Sequence, residues 1–112
     1  MRKELEMKKI EKGSGNVYKD LEVANPEQML IKATLAAKIS EILAQQKITQ
    51  VEAAKLLGIP QPKVSALLRG QFRGISEAKM LECLNRLGRD IDIVIRKSSK
   101  TSLDGRTHVV FG

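Results

Sequence analysis

Counted from Gln50, the residues Ala54, Gly58, Val64 and Leu67 fall four, eight, fourteen and seventeen positions on. That spacing suits two short helices crossed at a steep angle, because each residue then has a separate job. Ala54 is small where the next helix passes over it. Gly58 permits a tight turn that a Cβ would obstruct, and Ile59 fills the gap beneath that turn. Val64 and Leu67 turn the apolar side of the second helix of the pair back onto the first. Thr49 and Glu52, a T-x-x-E pair, mark where the first of them begins. An ordinary αα-corner can use the same small residues, so the spacing alone does not separate the two readings.

The flanking sequence is helical on both sides. Asn25 reads as an N-cap, Pro26 suits the first helical position and Gln28 completes a capping box. From there Ile31, Leu35, Ile39, Ile42 and Leu43 form one apolar face running to about Gln46. The crossed pair follows, from Thr49 to Gly58 and from about Gln61 to Arg69, with a stop at Gly70. Ser76 caps a further helix whose apolar positions Met80, Leu81, Leu84 and Leu87 lead to Gly88. The period then shortens to two, with Ile91, Ile93 and Ile95 alternating with Asp90, Asp92 and Val94 as in a strand. His108 to Phe111 is a second, shorter β-prone run. The expected fold is mainly α, a four- to five-helix bundle carrying the crossed pair, plus a short C-terminal β-strand or hairpin. Residues 1–24 read as a flexible basic arm broken at Gly13-Ser14-Gly15-Asn16, residues 25–96 as the folded domain with its strand, and residues 97–112 as a basic tail.

Charge locates the partner. The chain carries a net +7, and the stretch Lys47–Arg73 alone holds five bases against one acid, a net +4. The two ends are also basic and the flanking helices nearly neutral, a distribution that suits a polyanion and argues against an ordinary αα-corner. With no Trp, one Tyr and two Phe, the core has to be aliphatic. Other classes are disfavoured. No run approaches the ~20 apolar residues of a membrane span, and no secretory leader is visible in the charged start. The single Cys83 excludes an internal disulfide or a multi-cysteine metal site and reads as a small core residue. A cytoplasmic protein that is not an enzyme and needs no cofactor is expected, because the only histidine, His108, lies in the tail away from any acid–base constellation.

A helix-turn-helix that leaves the outer side of its second helix free can lay that side in a DNA major groove. At this point the run Thr49-Gln50-Val51-Glu52-Ala53-Ala54-Lys55-Leu56-Leu57-Gly58-Ile59-Pro60-Gln61-Pro62-Lys63-Val64-Ser65 resembles the Xre/Cro-type phage-repressor family, over about Leu35 to Leu87. More narrowly, Gly15-Asn16-Val17-Tyr18-Lys19-Asp20-Leu21, Asn25-Pro26-Glu27-Gln28-Met29-Leu30 and Leu67-Leu68-Arg69-Gly70-Gln71-Phe72-Arg73-Gly74 are similar to HigA-like antitoxins, small cytoplasmic repressors encoded beside a RelE-like toxin. The resemblance implies that Gln50 meets a phosphate with its side chain and helix N-terminus. By position, Gln61 is the base reader, since its amide can pair bidentately with adenine. Lys63 could reach a guanine or a phosphate, and Ala66 a thymine methyl; Pro62 and Ser65 lie on the same helix. Arg69, Gln71 and Arg73 suit the sugar-phosphate backbone. The sequence departs from the family in bracketing Gln61 with Pro60 and Pro62, which offer neither a capping oxygen nor a side-chain hydrogen bond.

A module this small buries too little surface on DNA for tight specific binding, so a homodimer on two half-sites is expected. Ile91, Ile93 and Ile95 are the expected interface. Their strand could pair with His108 to Phe111 of the same chain or with its twin in a second subunit. Operator DNA, a second copy and a RelE-like toxin are thus the expected partners, with no membrane. Two alternatives remain open: a toxin-neutralising interaction module whose DNA binding is secondary, and a phage-type repressor with no toxin.

Overall fold

The computed structural model describes residues 26–98 and 105–112. The expected arm and the Asn25 cap lie outside them. The chain divides into two compact units, Met1–Leu30 and Ile31–Gly112. Helix α1 (Pro26–Gln45) begins in the first; α2 (Gln50–Leu57), α3 (Gln61–Leu68) and α4 (Glu77–Arg86) lie wholly in the second.

The core is aliphatic, as composition requires. Helix α1 contributes Leu35, Ala36, Ile39, Ile42 and Leu43, all buried, while Ile31 is only half-buried. Helix α2 adds Ala53 and Leu57, α3 adds Val64 and Leu67, and α4 adds Met80, Cys83 and Leu84, followed by Leu87. Cys83 is thus the small core residue its position suggests, and burial pushes its thiol pKa up. Among the described residues no helix is long and apolar enough to cross a membrane.

The four described helices end in the same way. An N–H two or three residues past the helix reaches back over five residues: Ile48 to the Leu43 carbonyl at 2.9 Å, Ile59 to Ala54 at 3.2 Å, Gln71 to Ala66 at 2.8 Å and Arg89 to Leu84 at 3.0 Å. This closure needs one residue with positive φ. Glycine supplies it at Gly58, Gly70 and Gly88, where the sequence placed the stops. At the end of α1 the residue is Lys47, with φ of 55°, which the sequence did not announce.

The C-terminal segment departs from expectation. No strand is present among the described residues, and Ile91, Ile93 and Ile95 make no ladder with His108–Phe111. Ile91 is half-buried, but Ile93 is 77% and Ile95 92% exposed, with Val94 exposed between them. The physical reason is that alternation only prepares a strand. A ladder needs a second backbone to take its N–H and C=O groups, and none of the described residues supplies one. The end of the chain instead meets α1, where the Lys38 ammonium lies 4.9 Å from the centre of the Phe111 ring.

Candidate nucleic-acid interface

Helices α2 and α3 pack on one another, and α2 also packs on α4. Helix α2 starts with a complete capping box. The Thr49 hydroxyl accepts from the Glu52 N–H at 3.1 Å, and the Glu52 carboxylate accepts from the Thr49 N–H at 2.9 Å. These bonds hold the Glu52 carboxyl below its ordinary value. Helix α2 ends at Gly58, whose φ of 70° suits glycine. A second constraint acts there. A Cβ on Gly58 would lie 2.8 Å from Nη1 of Arg86, which donates to the Leu56 carbonyl at 3.3 Å. Glu82 holds that guanidinium from the other side at 2.9 Å. Arg86 thus reaches the turn from α4, and a side chain at position 58 would have to displace its guanidinium.

Helix α3 starts differently. Pro60 stands at its N-cap with no side-chain hydrogen bond. None is required, because Pro62 has no N–H to satisfy and the Lys63 N–H turns back to the Pro60 carbonyl at 2.9 Å. The Gln61 side chain is thereby released from capping duty and stands exposed beside Pro62 and Lys63. Val64 and Leu67 are buried on the opposite side, Ser65 and Ala66 are half-buried at the flanks, and Gln50 is exposed at the start of α2.

The comparisons with known proteins agree with this geometry. The helix-turn-helix domain family matches residues 17–96. The chain belongs to this family. A solved structure described as an XRE family transcriptional regulator has a TM-score of 0.71 with 36% sequence identity, covering 77% of this chain and 97% of that one. No curated protein matches.

Within the helix-turn-helix, the remaining site residues lie just past α3. Arg69, Gln71 and Arg73 are exposed. Arg69 already has partners, donating to the Ser65 hydroxyl and, at 3.2 Å, to the Gln71 side-chain oxygen. Lys63 donates from Nζ to the Gly74 carbonyl at 2.9 Å. Among the candidate residues, Gln61 stands exposed, whereas Lys63 and Arg69 are engaged by groups of the protein itself.

Four contributors escaped the sequence reading. Phe72 and Ile75 are buried and anchor the loop between α3 and α4. Lys32 is buried and donates from Nζ to the Arg73 carbonyl at 3.3 Å. Arg86 braces the turn. Lys32 had a signal, since it precedes Leu35 by three positions and Ile39 by seven, on the face that is buried. Arg86 had none, because its partner is a backbone carbonyl thirty residues away.

Proposed function

We propose that this chain is a sequence-specific double-stranded DNA-binding transcriptional repressor that acts as a homodimer at its own promoter. It is a binding protein and not an enzyme, with α3 as the helix that enters the major groove. The observation that carries this reading is α3 itself. Its Val64–Leu67 side is buried, its Gln61–Lys63 side is exposed, and a net +4 spans Lys47–Arg73. A phosphate-facing surface needs that charge, and a base-reading amide needs that exposure. A gel-shift series with a duplex of the chain's own promoter region and a random duplex of equal length tests it. Specific binding exceeds non-specific binding by at least about 10³-fold in such proteins; equal binding would leave only a non-specific basic protein.

The finer reading is that of an autorepressing antitoxin beside a RelE-like toxin. It is supported by the motif resemblance around Gly15–Leu21 and Leu67–Gly74. A toxin-neutralising role has one observation of its own, the exposed apolar side chains of Ile93, Val94, Ile95 and Val110, which single soluble chains seldom leave adjacent without a partner. Co-expression with the neighbouring reading frame separates the roles. Rescue of growth by a Gln61→Ala variant that no longer binds the promoter would assign neutralisation to a separate surface.

A further inference from the structure

The loop that leaves α3 is held from two helices at two successive carbonyls. Lys32 of α1 donates to the carbonyl of Arg73 at 3.3 Å, and Lys63 of α3 donates to that of Gly74 at 2.9 Å. Apolar anchors flank those carbonyls, with Phe72 and Ile75 buried and the Ile75 N–H bonded to the Phe72 carbonyl at 3.1 Å. The arrangement is a costly one. Lys32 is the one buried polar or charged residue among those described, at 8% exposure, and burying an ammonium on a neutral acceptor sacrifices hydration that an apolar side chain would not. It also gathers Lys32, Lys63 and the Arg73 side chain within a two-residue stretch, and neither lysine makes an ion pair with a carboxylate among the described residues. Core packing alone would favour methionine or leucine at position 32. A fixed loop geometry explains the lysine.

We infer that Lys32 and Lys63 are positioning residues for DNA recognition, holding the Arg69–Gly74 loop so that Arg69 and Arg73 meet backbone phosphates when α3 enters the groove. This rests on the DNA-binding reading above and deepens it. Lys63, exposed but engaged by the Gly74 carbonyl, neither reads a base nor touches a phosphate. The preset loop spares the complex the ordering cost that a mobile one would incur on binding.

The test uses the full chain, a duplex of its own promoter region and a random duplex, with affinities taken across about 50–200 mM salt. Lys63→Met, a surface change, is expected to weaken promoter binding about 5- to 10-fold while leaving the slope of log K against log salt unchanged. Arg73→Ala is expected to lower that slope by about one. In the free protein, Lys63→Met is expected to speed amide exchange at Ile75 about tenfold without changing exchange in α1. Gly105→Ala is the neutral control, since nothing lies within 4 Å of the added Cβ. Lys32→Met is expected to follow Lys63→Met. If it unfolds the chain, Lys32→Gln, which keeps an N–H donor, takes its place and is expected to retain most of the binding. A slope reduced by one in Lys63→Met would put Lys63 on a phosphate, and relaxed preference at a single base pair would make it a reader. Either result overturns the inference, as does unchanged exchange at Ile75. If the parent chain binds neither duplex specifically, the DNA reading fails, and exchange at Ile75 still decides whether the lysines hold the loop.

Discussion

In the α2–α3 pair, Ala53, Leu57, Ile59, Val64 and Leu67 are all buried, whereas beyond α4 the equally apolar Ile93, Val94 and Ile95 stand in solvent. The first set finds its partners within a few turns of the same chain. The second finds, among the described residues, neither a backbone to complete a ladder nor side chains to cover it. Folding of one chain accounts for the inward row of the pair, whose outward Val51, Leu56 and Leu68 stay partly exposed, and for none of these three. The difference separates what the monomer needs from what an assembly would use.

Removing the second region should have the largest effect on function and the smallest on folding. Truncation after Arg89 is expected to leave the helices and their melting temperature intact, to yield a monomer, and to weaken promoter binding on the order of 100-fold as two half-sites become one. Sedimentation together with a gel shift checks both halves. A truncated chain that is still dimeric at micromolar concentration would move the interface elsewhere.

The first region should respond in the opposite sense. Gly58→Val combines a strained positive φ with a clash against Arg86, and a loss on the order of 1–3 kcal/mol is expected by chemical denaturation. Gly70→Ala, where φ is 79° and no atom lies near the added Cβ, isolates the conformational part at about 1 kcal/mol. Gly58→Ala matches it in side chain, and if those two alanine variants cost the same, Arg86 does not brace the turn. Gln61→Ala should leave stability alone and cost about 1–3 kcal/mol of binding at the promoter, with little change on random DNA. Equal losses on both duplexes would make Gln61 a positioning residue.

Smaller effects belong to the ends of the helices. Thr49→Ala is expected to cost about 1 kcal/mol through the lost cap. Because the Glu52 carboxyl is held below its ordinary value of 4.5, its contribution is present above the unfolded-state value and disappears as pH falls through the folded-state one. The melting temperature of Glu52→Gln should therefore decline less between pH 5 and 3 than that of the parent. Lys47→Gly, which relieves a positive φ on a residue with a side chain, should raise stability by about 0.5 kcal/mol.

The legible parts of this chain are those set by neighbours in sequence. The Thr49–Glu52 cap, the glycine stops and the buried faces of α1 and α4 depend on residues three to five apart, and they stand where periodicity puts them. The exposure of Gln61 was legible because it follows from the burial of Val64 and Leu67. What could not be read depends on distant backbone. Lys32 and Arg86 find carbonyls that no side-chain pattern advertises. Lys47 adopts a conformation that composition assigns to glycine. The isoleucine alternation was read as a strand because it has a strand's period, yet period fixes only which side chains share a face. Whether a second backbone arrives is a property of topology or of assembly.

Arg86 has a mechanical consequence. Its guanidinium ties the last turn of α4 to the carbonyl at the end of α2, so the helix that leads to the exposed isoleucines and the turn that aims α3 behave as one lever. In a dimer joined beyond α4, that lever and the irregular residues after Gly88 together would set the span between the two α3 helices. Operators whose half-sites are moved apart by two or three base pairs would then bind less tightly, and a flexible linker inserted after Gly88 would widen the tolerance to spacing at the expense of discrimination.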